Sequence, residues 1–361
     1  MDDAAPPLVD QAVLDDLRQR LRNYRPVPTT GVAGWARGTE PGYLAELVRA
    51  WAEEYDWCPH EQRIRALPWV LAGQLRAIHQ RAAEPGAPAV VLLHGWPDSV
   101  LRFERVLPLL TDVHVVVPAL PGYPFARPLP ERDLAAADMA PLVAEAMAAL
   151  GYEHYVVSAG DIGRGVAVAL AAEHPDRVAA LHLTDIGAAA SSVGDPAART
   201  DDERAFSERI ERWRSDEGGY LHEQATKPHS LAVALGDSPA GLAAWIVEKL
   251  HGWSDRGTDD GDVESVFDRE SLLTWITAYW VSGSIGTSFA PYAKPSPLPD
   301  YVDVPTVVSE FPQELVRAPR SAAEPRFDLR VWETATSGGH FAAWERPEQF
   351  VGFLQTAIAL A

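Results

Sequence analysis

A short apolar segment runs into a turn of small residues that carries an aspartate, Asp161, at its tip; residues 155–165 read Tyr-Val-Val-Ser-Ala-Gly-Asp-Ile-Gly-Arg-Gly. Enzymes that expose a nucleophile on a sharp strand–turn–helix elbow surround it with glycines, and serine is the usual nucleophile. A serine that attacked a saturated carbon would leave an ether, which water cannot cleave, whereas a carboxylate leaves an ester that water can cleave. Asp161 therefore indicates alkyl transfer, by opening an epoxide or displacing a halide. The alternative is an aspartate in an ordinary glycine-rich turn.

A second motif, His-Gly-Trp-Pro at 94–97, follows the continuous apolar run Ala89–Leu93. Such a run is typical of a buried parallel strand. In enzymes with this kind of elbow, the loop after an early strand donates one backbone N–H to an oxyanion, and the residue after the nucleophile donates the other. The amides of Trp96 and Ile162 are therefore the predicted oxyanion donors.

A histidine on a Gly-Gly loop near the end of the chain, His340, is the candidate general base. The expected chain order is nucleophile, acid and then histidine. The acid should orient the imidazole and stabilise its protonated form. Glu310 and Glu314 both follow the apolar strand predicted at 304–309, and the pattern alone does not choose between them.

Together these segments resemble the microsomal-type epoxide hydrolases over nearly the whole chain, from Leu17 onward. The motifs that carry the resemblance are the His-Gly-Trp-Pro loop, the aspartate elbow, Pro118–Tyr123, Phe311–Glu314 and Gly338–Ala343. The resemblance implies that Glu314, in the Phe-Pro-x-Glu motif, is the acid. It also implies that two tyrosines of the cap, Tyr220 and Tyr292, donate hydrogen bonds to the epoxide oxygen as its bond to carbon breaks.

Two positions depart from the pattern of that family. Ile162 stands where many members carry tryptophan, although its backbone N–H is retained. Asp98 follows the His-Gly-Trp-Pro loop where glycine is common. We expect Asp98 to add a negative charge near the oxyanion donors. Both departures bear on the identity of the substrate more than on the reaction.

The resemblance implies an α/β-hydrolase core, a mostly parallel, doubly wound sheet, with a helical cap and an N-terminal helical extension. We assign residues 1–86 to the extension, which would wrap the core and the cap. Residues 87–187 and 301–361 would form the two parts of the core, and residues 188–300 would form the cap. The amphipathic patterns at 10–23 and 42–55 indicate helices in the extension.

Composition narrows the range of partners. The chain has 361 residues, and its net charge of −20 would repel nucleic acid and anionic membranes. The single cysteine, Cys58, excludes an intrachain disulfide and a cysteine-rich zinc site. No secretion signal or membrane-spanning run is recognisable, so we expect a cytoplasmic protein. We expect a small-molecule epoxide as partner, no metal and no cofactor, with a homodimer left open.

The sequence thus predicts an epoxide hydrolase that forms a vicinal diol through an alkyl ester on Asp161. Its substrate would be bulky and lipophilic or aromatic, and a role in secondary metabolism is left open. One alternative is a haloalkane dehalogenase with the same nucleophile, which would need indole or amide N–H donors for the halide. The other is a non-catalytic binding protein of the same fold, which would require loss of the catalytic residues, and Asp161, Glu314 and His340 are all present.

Overall fold

Strands of four to nine residues form one central sheet. The computed structural model describes residues 4–31, 34–129, 133–187, 199–258, 261–294, 296–297 and 299–361. The strands in chain order are β1 (Trp69–Ala72), β2 (Leu75–Gln80), β3 (Ala89–Leu93), β4 (His114–Pro118), β5 (Tyr155–Ala159), β6 (Val178–Leu183), β7 (Val302–Glu310) and β8 (Phe327–Thr334).

The helices surround this sheet and form the layers above it. They are α1 (Gln11–Arg22), α2 (Pro41–Glu53), α3 (Trp57–Arg65), α4 (Ala136–Ala149), α5 (Asp161–Glu173), α6 (Asp201–Asp216), α7 (Gly219–Thr226), α8 (Pro228–Asp237), α9 (Pro239–Trp253), α10 (Arg269–Ser282), α11 (Ala290–Ala293), α12 (Arg320–Ala323), α13 (Ala342–Glu345) and α14 (Pro347–Ile358).

The strand order is β1-β2-β4-β3-β5-β6-β7-β8. Neighbouring strands are parallel in the part of the sheet that runs from β4 through β3 to β8. The pairs β1 with β2 and β2 with β4 are antiparallel. Every residue of β3, β4 and β5 is buried, because helices cover both faces of a parallel sheet. The predicted α/β-hydrolase fold with a mostly parallel sheet is confirmed.

The carboxyl ends of the parallel strands meet at one edge of the sheet, where α/β proteins build their binding sites. The His-Gly-Trp-Pro loop follows β3, Asp161 follows β5, and the Phe-Pro-Gln-Glu segment follows β7. The Gly-Gly-His loop follows β8. Four segments that are distant in the chain are therefore brought to the same edge.

The N-terminal extension is not purely helical, in contrast to the prediction. Residues 69–80 form a hairpin, β1 and β2, that adds two strands to the sheet, with Ile78 paired to Val117 of β4. Gly73 lies in the turn of this hairpin with a φ of +54°. The strands have four and six residues, too few for an alternating pattern to stand out in the sequence.

Helices α6 to α11 lie between β6 and β7 in the chain, within the segment predicted as the cap. The extension is bonded to this segment. Thr39 donates to the carbonyl of Ala244 at 2.6 Å, and the Tyr43 hydroxyl donates to Glu264 at 3.0 Å. The domain boundaries themselves stay a prediction, and residues 188–198 of the predicted cap lie outside the described residues.

Among the described residues, no single helix is both long and apolar enough to cross a membrane. Together, α8 and α9 have the length and composition of a membrane-spanning helix, but the chain bends by 115° where they meet.

Candidate active site

The candidate nucleophile, Asp161, is the first residue of α5 and directly follows Gly160 at the end of β5. Its φ of +53° lies in the left-handed region, where a non-glycine residue is strained. The neighbouring glycines are required by close packing. A Cβ on Gly163 would lie 2.6 Å from the carbonyl oxygen of His94, and one on Gly160 would overlap the Thr184 hydroxyl. The turn is therefore a strained elbow, as the spacing of its glycines predicts.

Backbone amides hold the Asp161 carboxylate. Its Oδ1 accepts the N–H of Trp96 at 2.8 Å, and the N–H of Ile162 also bonds to this carboxylate. Burial would raise the pKa of Asp161, but His340 and these two amides outweigh it and hold the pKa below its usual value. Asp161 is therefore ionised at neutral pH, which is the state in which a carboxylate is nucleophilic.

His340 lies between two carboxylates. Its Nδ1 is 2.9 Å from Oε1 and 3.2 Å from Oε2 of Glu314, and its Nε2 is 3.5 Å from Oδ2 of Asp161. The rival glutamate, Glu310, instead accepts a bond from Arg317 at 3.0 Å. Burial would lower the pKa of His340, but Glu314 and Asp161 outweigh it and raise the pKa to about 10. The structure thus brings Asp161, His340 and Glu314 together and leaves Glu310 outside the group.

A carboxylate that sequence reasoning missed organises the loop of His340. Glu345, in α13, accepts the backbone N–H groups of Gly339 at 3.0 Å, Phe341 at 2.9 Å and Asp255 at 2.7 Å. Its side chain is buried, and burial raises its pKa. No motif marks Glu345 in the sequence, because its partners are amides that any residue could supply.

A second missed carboxylate, Asp185, supports the elbow from the loop after β6. Its Oδ2 accepts the backbone N–H of Asp161 at 2.7 Å, and its Oδ1 accepts from Nε of Arg164 at 2.8 Å. An acidic residue two positions after a buried strand is the only local signal for such a role. Asp185 therefore fixes the backbone of the nucleophile rather than orienting the histidine.

Asp98 does not place an uncompensated charge near the oxyanion donors, in contrast to our expectation. It is buried and forms an ion pair with Arg102 at 2.6 Å, and it accepts the N–H of Gly95 at 2.8 Å. Arg102 also donates to the carbonyl of His340. Asp98 and Arg102 therefore brace the His-Gly-Trp-Pro loop against the histidine loop.

The two predicted tyrosines, one on α7 and one on α11, are close enough to Asp161 for its charge to raise the pKa of both phenols. The rings of Tyr220 and Tyr292 are 6.0 Å apart, and both contact Trp96, at 5.3 Å and 6.0 Å between ring centroids. The ring of Trp253 is 5.0 Å from Tyr220 and 5.3 Å from His340. Aromatic side chains therefore wall the space between the tyrosines and the histidine.

Three polar atoms of this aromatic group are buried without a hydrogen-bond partner in the described part of the chain: the Tyr292 hydroxyl and the Nε1 atoms of Trp96 and Trp253. Buried polar groups in proteins are almost always paired, and exceptions cluster where a ligand is bound. The Tyr292 hydroxyl and the two indole N–H groups can therefore donate to a substrate bound among these rings.

The fold and the position of these residues define an α/β-hydrolase with an aspartate on its elbow, and comparison with known proteins narrows the class. The family described as epoxide hydrolase N terminus matches residues 6–103, and the alpha/beta hydrolase fold matches residues 88–216.

Relatives and solved structures agree with these matches. A Stigmatella aurantiaca protein with the provisional name epoxide hydrolase is 34% identical, covering 95% of this chain and 81% of the relative. The juvenile hormone epoxide hydrolase of Bombyx mori is 30% identical, covering 96% and 84% of the two chains. Its crystal structure superposes with a TM-score of 0.87 at 29% identity, covering 98% and 93% of the two chains. The structure of the Aspergillus niger epoxide hydrolase superposes with a TM-score of 0.85 at 28% identity, covering 98% of this chain and 95% of the other. The chain belongs to the epoxide hydrolase family, and it is a hydrolase enzyme.

Proposed function

We propose that this enzyme opens an epoxide to a vicinal diol through a covalent ester between Asp161 and the substrate. The observation that carries the proposal is the position of one ionised carboxylate between a histidine–glutamate pair and two tyrosines. This arrangement supports both halves of the proposed reaction, since the tyrosines can serve the opening of the epoxide and the histidine can serve hydrolysis of the ester.

In the first half, Oδ2 of Asp161 attacks an epoxide carbon and the bond from that carbon to oxygen breaks. The alkoxide that forms is strongly basic, so it needs a proton as it develops. The hydroxyls of Tyr220 and Tyr292 are the donors that we assign to this step. Glycines at the elbow and the amides of Trp96 and Ile162 hold the carboxylate in position while it reacts.

In the second half, His340 takes a proton from water as the water attacks the carbonyl of the ester. The bond from that carbonyl to the substrate oxygen then breaks, and His340 passes its proton to this oxygen, which releases the diol. Esterification removes the negative charge of Asp161, which in the free enzyme helps to raise the pKa of His340. The imidazole can then lose its proton to solvent and act as a base. The amides of Trp96 and Ile162 would stabilise the oxyanion, and Glu314 would stabilise the imidazolium.

We assign bulky lipophilic or aromatic epoxides as the substrate class. The support is the aromatic wall around the carboxylate, formed by Trp96, Tyr220, Trp253 and Tyr292. Flat apolar rings favour an apolar ligand and leave few polar groups to select a hydrophilic one. A cytoplasmic location and a homodimer stay predictions from the sequence.

Haloalkane dehalogenation is the second candidate, because two indole groups next to the tyrosines could donate to a halide. The Nε1 atoms of Trp96 and Trp253 are buried and have no hydrogen-bond partner within the described ranges. Halide displacement needs no proton donor, whereas epoxide opening does, so the tyrosine pair favours the epoxide. Release of bromide from bromoalkanes by the wild type, at rates comparable with epoxide turnover, would favour dehalogenation instead.

A single turnover in heavy-oxygen water tests the covalent route. The new oxygen of the diol should come from Asp161, so the first turnover should place little label in the product. Full labelling of the diol in that turnover would mean that water attacks the epoxide directly and would overturn the proposal. Styrene oxide is a suitable aromatic substrate, and mass spectrometry of the diol gives the result.

Matched variants separate the two halves. His340→Gln should accumulate the alkyl ester, seen as a mass increase of the protein equal to the substrate, because water is no longer activated. Asp161→Asn should show no such increase. Identical behaviour of these two variants would exclude His340 as the base of the second half.

A further inference from the structure

A buried lysine, Lys249 of α9, lies against the aromatic wall of the pocket and has no part in the reaction described above. Only 5% of its surface is exposed. Its Nζ lies 4.8 Å from the ring centroid of Tyr220, 5.7 Å from that of Trp245 and 5.8 Å from that of Trp253. The ammonium is also paired with Glu248 at 2.5 Å. Burial of a lysine is costly unless it is paired, so the position of this charge calls for an explanation.

The charges around Tyr220 explain the position of Lys249. Burial raises the pKa of the Tyr220 phenol well above its usual value, and four carboxylates raise it further: Asp161, Glu314, Glu248 and Glu217. A phenol in these surroundings is a weak proton donor, because the phenolate would form among negative charges. The ammonium of Lys249 on the face of the ring opposes this effect.

The two tyrosines differ in this respect. Within the described ranges, no lysine or arginine lies over the ring of Tyr292 in a cation–π contact, whereas Lys249 lies over that of Tyr220. A cation near the ring stabilises negative charge on the phenol oxygen more than it stabilises the neutral phenol. The cation over the ring of Tyr220 therefore suits Tyr220 to give up its proton, whereas Tyr292, which lacks such a cation among the described residues, suits the role of a hydrogen-bond donor.

We propose that Lys249 is a positioning residue that makes Tyr220 the proton donor in epoxide opening and leaves Tyr292 as a hydrogen-bond donor. This inference rests on the proposed function. As the bond from Asp161 to carbon forms, the bond from carbon to oxygen breaks, and the proton of the Tyr220 hydroxyl passes to the oxygen. The ammonium of Lys249 stabilises the phenolate until the ester is hydrolysed. One proton of the attacking water then passes through His340 to the departing diol oxygen, and the other, released when the Asp161 carboxyl ionises again, restores the phenol.

Lys249→Met tests the inference, because methionine keeps the apolar length of the side chain in its aromatic surroundings and removes the charge. Formation of the alkyl ester should slow about 10-fold, the size expected from loss of a buried cation–π contact. Breakdown of the ester should change by less than about 2-fold, since that step does not use Tyr220 as acid. Rapid-quench mass spectrometry with styrene oxide gives both rates, and Lys249→Arg should recover much of the first.

A double-variant comparison separates a role through Tyr220 from a purely structural one. In a Tyr220→Phe background, Lys249→Met should have no further effect on ester formation. In a Tyr292→Phe background, its effect should stay about 10-fold. Equal slowing in both backgrounds, or equal slowing of formation and breakdown, would overturn the inference. Lys249→Gln gives the same comparison if the methionine variant does not fold, as judged by thermal unfolding.

The test also distinguishes failure of this inference from failure of the proposed function. If His340→Gln with Lys249 intact forms no alkyl ester, the covalent mechanism itself is wrong. If that ester forms and Lys249→Met forms it at the wild-type rate, only the role of Lys249 is wrong.

Discussion

At the scale of single residues, the site is an arrangement of charges around one imidazole. His340 is buried between Glu314 and Asp161, and these carboxylates raise its pKa to about 10. The free enzyme therefore holds a protonated His340 beside an ionised Asp161 at neutral pH. This pairing suits the first half of the proposed reaction, which needs the carboxylate and not the base. Loss of the Asp161 charge on esterification lowers the pKa of His340, so the imidazole can act as the base in the second half of the reaction.

The raised pKa of His340 predicts a loss of stability at alkaline pH. The pKa of an unfolded histidine is about 6.5, so the stabilisation is fully present below that pH and is lost as the pH rises towards about 10. Over this range the wild type should lose on the order of 3 kcal/mol relative to His340→Gln. Urea unfolding of both proteins between pH 6.5 and pH 10 measures the difference, and parallel curves would contradict the prediction.

The two glutamates at the end of β7 and in the segment after it provide a matched pair. Glu314→Gln should slow breakdown of the alkyl ester by ~10²-fold or more, because the imidazolium loses its carboxylate partner. Formation of the ester should change little. Glu310→Gln, which alters only the contacts with Arg317 and Thr334, should leave both rates unchanged. A larger effect at Glu310 than at Glu314, in single-turnover rates, would reverse the assignment.

At the scale of elements, the elbow depends on how closely the loop after β3 approaches the start of α5. A Cβ on Gly95 would lie 2.6 Å from Cβ of Asp161, closer than such atoms are found in proteins. Asp161 is held by the amides of Trp96 and Ile162 and by Asp185, so it cannot yield without losing these bonds. The position of the nucleophile is therefore set by the contact between two elements.

Gly95→Ala should displace the Asp161 carboxylate and lower the rate of ester formation by about 10²-fold, since a shift near 1 Å has a cost of this size. Gly352→Ala is the control, because a Cβ there meets nothing within 4 Å in the middle of α14. That variant should keep full activity and gain about 0.5–1 kcal/mol of stability. Full activity of Gly95→Ala would show that the loop can move aside.

At the scale of the whole molecule, the extension, the cap and the sheet are bonded to one another around the pocket. The ring of Trp35 stacks on His251 of α9 with centroids 3.9 Å apart, and Trp253 at the end of the same helix accepts the N–H of His340 through its carbonyl at 2.9 Å. Helix α9 thus links the N-terminal extension to the catalytic histidine loop, and it also carries Lys249.

His251 predicts acid sensitivity of this assembly. Burial first, and then Arg256, lower the pKa of His251 to about 4. The unfolded chain binds a proton near pH 6.5 and the folded chain only near pH 4, so stability falls as the pH drops through this window.

His251→Phe keeps a flat ring on Trp35 and removes the titrating group, whose Nε2 is buried without a partner in the described residues. Between pH 7.5 and pH 4.5 the wild type should lose on the order of 2 kcal/mol more than this variant. Urea unfolding at the two pH values measures the difference. An equal loss in both proteins would place the acid sensitivity elsewhere.

The sequence by itself determined the features that local backbone geometry imposes. The strained turn at Asp161 needs glycines around it, buried parallel strands need apolar runs, and the histidine loop needs its glycine pair. Each of these requirements involves residues that are close in the chain, so it leaves a pattern of types and spacing. The elbow, the His-Gly-Trp-Pro loop, the core strands and the fold class could therefore be predicted.

The tertiary structure alone decided features whose partners are distant in the chain. Glu314 rather than Glu310 contacts His340 because of where the segment after β7 ends relative to the loop after β8. Asp185 and Glu345 bind backbone amides, which carry no residue type for a motif to record. The contact of Lys249 with Tyr220 joins two helices of the cap. Such contacts depend on three-dimensional distance and low local polarity, and neither is written in the spacing of residues along one chain.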